Sequence, residues 1–587
     1  MLKIEKKIKK ELIKTVAKSF KIKLSLEDIV LKFPPNIALG DFCFETFEIA
    51  KKIGRTAQET AKILSQNLKL DILDKVEAMG PYVNFKVKNN ILFKEILGEI
   101  VKKGLAEKTK QKEKIMIEYL SPNTNKPLHL GHLRNGALGS ALVEIFKASG
   151  NKVISANLIN DRGVHICKSM LSWLKWGGGE TPETAKMKGD HFVGKWYVKY
   201  GLEEEKKPTL KDEVQEMLKK WEAEDKEVRE LWQKMNAWVY KGFKETYQKF
   251  GLKFDVFFYE SKTYKLGKDI VEKGLKKGVF QKEANGQAVA QLPQSKFGLN
   301  KDGKPNKKVL LRADGTSVYT TQDLGTAVEK FKKYKLDKSI YVVGSEQDYH
   351  FKCLFEILSQ LSFDFAEKCY HLSYGMVYLP EGKMKSREGK VVDGDGLIAE
   401  MEEMAKEEIK KRDLKNKLSL KELNERACKI ALGAIKFYLL IANAPTDLHF
   451  DPKQSLSFEG KTGPYCLYSY ARAKSVLRKA NIKTKATIQA KQTNFSLLKE
   501  REALALARGL LEIKIALKDA QAELNPSKLT QAVYNLALLF NQFYQALPVI
   551  NKKNPNLTQA RLKLVEAVSV ALKQGLNLLG LETLDEM

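Results

Sequence analysis

Residues 115–150 read IMIEYLSPNTNKPLHLGHLRNGALGSALVEIFKASG, and the fold turns on them. The apolar run IMIEYL has strand character and ends in a loop rich in Pro and Asn. From about His132, the residues Leu133, Ala137/Leu138, Ala141/Leu142 and Ile145/Phe146 recur at helical spacing until Gly150 stops the helix. A second apolar run covers residues 153–158. Strand, helix and strand make a βαβ unit, the start of a doubly wound parallel sheet that takes ligands at the carboxyl ends of its strands. The loop SPNTNKPLHLGH, residues 121–132, stands at that edge. A helix N-terminus there offers free N–H groups and a positive dipole end to phosphate. His129 and His132 add imidazoles that can donate to phosphoryl oxygens, and Gly131 lets a flat base approach the backbone. With 7 His and 38 Gly in 587 residues, an HxGH match arises by chance about 0.005 times. No third Cys or His lies near in sequence, which argues against half of a metal site.

Working outward, residues 1–108 predict a small α+β unit. Helical patterns at 4–19 and 47–64 flank the turn Pro34-Pro35-Asn36, and a strand-like YVNFKV (82–87) follows Gly80-Pro81. The basic residues 108–114 read as a linker. The sheet domain extends over 109–420, interrupted at about 165–260 by a polar helical insertion rich in Trp, Lys and Glu. Strand patterns return near 339–343 and 374–379. Residues 421–587 show only helical patterns, broken at Pro445, Pro464, Pro526 and Pro555, and predict a separate helical bundle. The class is α/β: a doubly wound, Rossmann-like parallel sheet between a small α+β domain and an all-α domain. A length of 587 residues agrees with several cores.

The net charge of +30 favours a polyanionic partner, since neutralising phosphates releases counterions; charge alone separates neither RNA from DNA nor either from an acidic membrane. A lysine-rich proteome would give part of the same excess. No run of about 18 apolar residues indicates a membrane span. The six cysteines, none at CxxC spacing, support neither zinc nor a dithiol motif and suit a reducing cytoplasm. No GxxxxGK[ST] occurs, which excludes a P-loop enzyme.

A second motif, KMKSREGK (383–390), follows the strand pattern at 374–379; a basic loop at a strand end can stabilise charge on leaving pyrophosphate. Together the two motifs resemble the HIGH and KMSKS signatures of the class I aminoacyl-tRNA synthetases. The segments EYLSPNTNKPLHLGHLRN (118–135), NDRG (160–163), LLRADGTSVYTTQDLGTA (310–327), GSEQDYHF (344–351) and SFEGKTGPYCLYSYAR (457–472) resemble arginyl-tRNA synthetases in particular. The resemblance covers nearly the whole chain. It implies that arginine is activated by ATP with Mg²⁺ and transferred to the 2′-OH of the terminal ribose of tRNA(Arg), and that activation requires bound tRNA. It also implies a cytoplasmic monomer without zinc or another resident metal. Its catalytic groups map to His129, His132, Lys126, Lys383, Lys385 and Ser386, and its ATP contacts to Pro127, Leu130, Gly131, Asn135, Gly344, Met384 and Arg387. One departure stands out: Ser386 replaces the second signature lysine, and Lys126, just upstream of the first motif, is the candidate for the missing charge.

A guanidinium is planar, permanently charged and rich in donors, so selective binding calls for acids and a flat wall. Glu118 ends the first strand; Tyr319 and Asp323 lie four residues apart, one turn of helix. The resemblance adds Ser121, Asn123 and Gln347 as contacts to the amino acid or the nearby ribose. It also places Tyr82 and Asn84 against the tRNA D-loop and the helical domain at the anticodon, where Tyr465, Tyr468 and Tyr470 could stack on bases, although at that spacing some of them must be core. Among alternatives, a cysteinyl enzyme would need zinc cysteines, and a glutamyl enzyme a basic pocket where Glu118 and Asp323 stand. A nucleotidyl transferase sharing HxGH needs no helical tRNA-binding end, and an inactive tRNA-binding relative need not keep both histidines.

Overall fold

The structure, a computed structural model, describes residues 3–109, 112–379, 393–412, 418–480 and 493–587. At the amino end, α1 (Lys3–Phe20) buries Ile4, Ile8, Leu12 and Val16 as one stripe. An antiparallel sheet of β1 (Leu31–Lys32), β2 (Phe42–Glu45), β3 (Leu73–Met79) and β4 (Tyr82–Val87) follows, in the order β1-β2-β4-β3. Between β2 and β3 the helical pattern of 47–64 becomes two helices, α2 (Phe47–Ile53) and α3 (Ala57–Asn67). Gly54, at φ 67°, ends the first, and a Thr56–Glu59 capping box starts the second. Next comes α4 (Asn89–Lys103), which packs against the helices Arg501–Ala522 and Pro555–Leu578.

The chain then lays down β5 (Lys114–Glu118), α5 (Leu130–Ala148) and β6 (Lys152–Ile159). Four helices form the insertion: α6 (Val164–Trp176), α7 (Gly189–Lys206), α8 (Leu210–Glu222) and α9 (Lys226–Phe250). The insertion ends earlier than expected, because β7 (Val256–Tyr259) already pairs in parallel with β6; its four residues are too few to show a strand period. After α10 (Glu260–Thr263) and α11 (Lys268–Lys276), an unanticipated small antiparallel sheet forms from β8 (Gln281–Lys282), β9 (Ala288–Gln291) and β10 (Lys307–Leu311), with α12 (Gln294–Phe297) inside it. The main sheet is completed around α13 (Tyr319–Tyr334), β11 (Lys338–Gly344), α14 (Asp348–Gln360) and β12 (Cys369–Tyr374). Its order is β12-β11-β5-β6-β7, parallel throughout, so the winding reverses between β5 and β11.

The strand pattern over 374–379 is split. Tyr374 closes β12, and β13 (Val377–Tyr378) pairs instead with β14 (Leu448–His449). Gly375 marks the departure: a Cβ there would meet Asp447 Oδ1 at 2.5 Å and the Pro445 carbonyl at 2.7 Å, so only glycine admits the crossing chain. The remaining helices are α15 (Gly394–Arg412), α16 (Leu420–Ile441), α17 (Pro452–Ser455), α18 (Gly463–Lys479), α19 (Arg501–Ala522), α20 (Pro526–Ala546) and α21 (Pro555–Leu578). Pro464, Pro526 and Pro555 stand in first turns, where a missing N–H costs nothing.

One core joins the N-terminal unit, the α5 face of the sheet and the helical bundle; a second lies on the α13/α14 face. The strand period sorts β5 between them: Ile115 and Ile117 face the first core, Met116 the second. The N-terminal unit is fastened to the bundle where Phe93 stacks on Phe495, Asn89 donates to the Leu498 carbonyl, and the Leu105 N–H donates to Gln574, 469 residues away. No helix among the described residues is long and apolar enough to cross a membrane.

Candidate active site

The loop between β5 and α5 sits at the carboxyl edge, beside the reversal of winding, as the sequence predicts. Leu120 and Ser121 both take positive φ (82° and 44°), and the loop is stapled to the end of β6 by Asn160, whose amide donates to the Ser121 carbonyl. Asn123 is exposed and bridges Asn160. His129 caps α5 in extended conformation, and no acid occupies the first turn, so the helix end keeps its positive field. The His129 N–H donates to His132 Nδ1 at 3.1 Å, which leaves the His132 proton on Nε2 as a donor. The two rings lie 3.9 Å apart, and His129 Nδ1 is buried without a partner among the described residues.

Burial, then Lys126, pushes the His129 imidazole down to about 3; burial, then His129 and Lys126, pushes His132 well below the usual range. Both rings are therefore neutral, and Lys126, lowered by burial, is the cation beside them. Gly131 serves first the His129 ring, because a Cβ there would meet His129 Cε1 and Nδ1 at 3.1 Å. Pro127 is approached from the insertion: a Cβ on Gly194 of α7 would lie 2.8 Å from its Cδ. Leu130 is fully buried. Asn135 requires a correction as a nucleotide contact. It is buried, accepts from the Leu120 N–H at 2.6 Å, and donates to the Val342 carbonyl and the Tyr374 hydroxyl. Its polar atoms fasten three strand ends together.

The acids predicted for the guanidinium stand apart in character. Glu118 is no exposed strand-end acid: it is 4% exposed and pairs at 2.5 Å with Lys330 of α13, itself 1% exposed. One of its oxygens is thereby spent. Tyr319 and Asp323 share the first turns of α13; Tyr319 is 72% exposed, and Asp323 accepts from or pairs with His350 Nε2 at 2.7 Å. Gly344 ends β11, and Gln347 is exposed in the turn Ser345–Gln347 that follows it.

The sequence reading missed Glu260, the first residue after β7 at the same edge. Burial, against Arg162 and with Asp161 and Asp323 adding to it, pushes its carboxyl up to about 7. No hydrogen bond or ion pair reaches that carboxyl among the described residues. The sequence signal was an acid straight after the apolar run VFFY. Arg162, the arginine of NDRG, lies over the rings of Trp221 and Tyr264 and pairs with Glu222, so it braces the insertion.

Lys383, Met384, Lys385, Ser386 and Arg387 lie outside the described residues. The chain resumes against the first motif: Asp393 bridges His129, and the Gly394 N–H donates to the Leu128 carbonyl. Asp190, His191 and Asp395 could converge on a metal ion, but the Lys188 ammonium already contacts both carboxylates, at 3.1 and 2.5 Å, so the set does not fit a cation. In the N-terminal unit, Tyr82 is exposed beside Phe47, whereas Asn84, in the middle of its sheet, shows only 5% of itself. Asn84 therefore offers RNA far less than the sequence suggests. Of the three bundle tyrosines, Tyr470 is core, bonded to Asp585; Tyr465 and Tyr468 are half-buried.

Three family models match in succession: "Arginyl tRNA synthetase N terminal domain" over residues 2–87, "tRNA synthetases class I (R), catalytic domain" over 94–452, and "DALR anticodon binding domain" over 466–587. The chain is 41% identical over 579 residues to "Arginine--tRNA ligase" of Treponema denticola, covering 96% of each. It is 45% identical over 502 residues to that of Parabacteroides distasonis, covering 82% of each. The solved arginyl-tRNA synthetase of Thermus thermophilus has the same fold over the whole of both chains, with a TM-score of 0.83 at 24% identity.

Proposed function

The chain belongs to the arginyl-tRNA synthetase family, and we propose, residue by residue, how it performs as an arginine–tRNA ligase. The arginine carboxylate attacks the α-phosphorus of ATP, forming arginyl-adenylate and releasing pyrophosphate. The 2′-OH of the terminal ribose of tRNA(Arg) then attacks the activated carbonyl, and AMP leaves. The protein supplies placement and charge rather than a nucleophile. His132 Nε2–H, the His129 ring and the first turn of α5 receive the triphosphate, with Lys126 as the nearby cation; Pro127, Leu130, Gly131 and Gly344 shape the floor. Lys383, Met384, Lys385, Ser386 and Arg387 are assigned to the pyrophosphate on the strength of the motif alone.

Asp323 and Glu260 take the guanidinium, Glu118 contributes its remaining oxygen, and Tyr319 forms the outer wall; Ser121, Asn123 and Gln347 hold the amino and carboxylate end. The observation that carries this reading is the neutral imidazole pair at an acid-free helix end, set at the edge that also bears Glu260 with no counter-charge bound to it. Mg²⁺ is expected with ATP, but the three-ligand set among the described residues already holds Lys188 and does not fit it.

Tyr82 would stack on the D-loop, with Asn84 beneath it, and the bundle would take the anticodon. The proposed units are 1–108, 109–420 and 421–587, supported by the passage from antiparallel sheet to parallel sheet to helices. The protein works as a monomer in a reducing cytoplasm, where its six cysteines remain thiols. Pyrophosphate exchange tests the assignment: it should appear with arginine once tRNA is added, and exchange with a different amino acid, or none, would overturn it.

A further inference from the structure

Arg134, two residues beyond His132, has no exposed surface, and no carboxylate among the described residues bonds to it. Its guanidinium donates instead to four main-chain carbonyls. Nη1 reaches Gly375 (2.6 Å) and Met376 (3.2 Å), and Nη2 reaches Ala444 (3.0 Å) and Thr446 (2.7 Å). The first pair lies where β12 leaves the main sheet, and the second lies in the chain that links α16 to β14. Asp447 closes the arrangement by accepting from the Met376 N–H at 2.7 Å, so Met376 is held at its carbonyl by Arg134 and at its N–H by the neighbouring acid. On the far side, Asn443 accepts from Asn525 (3.0 Å) and Ser527 (2.8 Å) at the start of α20, which ties the same linker to the helical bundle.

A buried cation bonded to no carboxylate is an expensive way to pack a helix, and an apolar side chain would fill the volume at less cost. What a guanidinium offers instead is a rigid planar fork that fixes the relative position of every carbonyl it binds. Here those carbonyls belong to two segments far apart in sequence, and the fork itself is rooted in the helix whose first turn carries the histidines. Displacements near 1 Å at a reacting centre can cost about a hundredfold in rate.

We propose that Arg134 is a positioning residue for adenylate formation: it sets the histidine-bearing helix against the β12 exit and against the linker to the helical bundle, so that nucleotide site and bundle share one frame. This rests on the synthetase reading above. A residue that only stabilises the fold would change the amount of folded protein and leave the rate per active site intact; a positioning residue lowers the turnover of correctly folded sites.

The test is pyrophosphate exchange with arginine, ATP and tRNA(Arg), normalised to active sites titrated by adenylate formation, for Arg134→Lys, Asp447→Ala and the double variant. Each single change should lower kcat about tenfold or more while KM for arginine stays within about threefold. The double variant should fall short of the product of the two, because both act on Met376. Unchanged kcat per titrated site, or effects that multiply, would overturn the proposal. If Arg134→Lys fails to fold, Asp447→Ala decides by the same criterion, since it leaves the guanidinium in place. Absence of arginine-dependent exchange in the unaltered protein would sink the parent reading; normal exchange there with unaffected variants would sink this inference alone.

Discussion

Glu260 allows the arginine pocket to be tested by counting protons. Its carboxyl ordinarily titrates near 4.5 and is pushed up to about 7, chiefly by burial. Raising it from there to about 7 withholds about 3 kcal/mol from the charged form. An entering guanidinium supplies the missing counter-charge and must convert the acid to carboxylate. Between about pH 5 and 7, arginine binding should therefore release up to one proton, and affinity should weaken as pH falls, by up to about tenfold per unit. Above pH 7 the proton is already gone and the dependence should flatten. The unliganded fold shows the opposite face of the same shift. The raised acid costs nothing below its unfolded value, where both states are protonated, and its full penalty is present above about 7. Glu260→Gln should thus leave stability unchanged near pH 4 and raise it at pH 8. The same change should weaken arginine binding at pH 8 by about 2 kcal/mol or more and abolish the pH slope. Calorimetric titration with arginine, in the presence of tRNA and in two buffers of different ionisation enthalpy, reads the proton count. Binding without proton release at pH 6, together with normal affinity in Glu260→Gln, would refute the reasoning.

Asp323→Ala should cost on the order of 2–5 kcal/mol in kcat/KM for arginine by removing one of the acids that take the guanidinium; near-normal arginine kinetics would remove Asp323 from the pocket. His132→Ala should lower kcat for exchange about 10²- to 10³-fold with little change in KM for arginine, the loss expected of one preorganised donor. The affinity for tRNA should fall steeply between about 50 and 200 mM salt as counterion release weakens, and a flat response in filter binding would discount the basic surface as its seat.

The parallel sheet and its phosphate-facing loop were legible because their signals are local: a strand, a loop and an amphipathic helix within 36 consecutive residues. The four-residue spacing of Tyr319 and Asp323 was equally readable, being one turn of α13. What escaped depends on partners distant in sequence. Nothing near Glu118 announces Lys330, 212 residues on, so half of that acid's capacity was assigned to substrate when protein already holds it. Asn135 belongs to the motif, and its bonds to the loop after β5, to β11 and to β12 appear only when the strands assemble. Glu260 was hidden in an acid-rich insertion, and only β7, which ends immediately before it, brings it to the edge.

The join between the amino-terminal unit and the bundle has a consequence for synthesis. The Leu105 N–H finds its acceptor 469 residues downstream. At about 5–20 residues per second, a ribosome needs roughly 20 to 90 s to reach that partner. For most of that interval Phe93 of α4, buried in the finished molecule, lacks the Phe495 ring it stacks on. The join between the two ends of the chain therefore closes only late in synthesis, after the bundle has emerged.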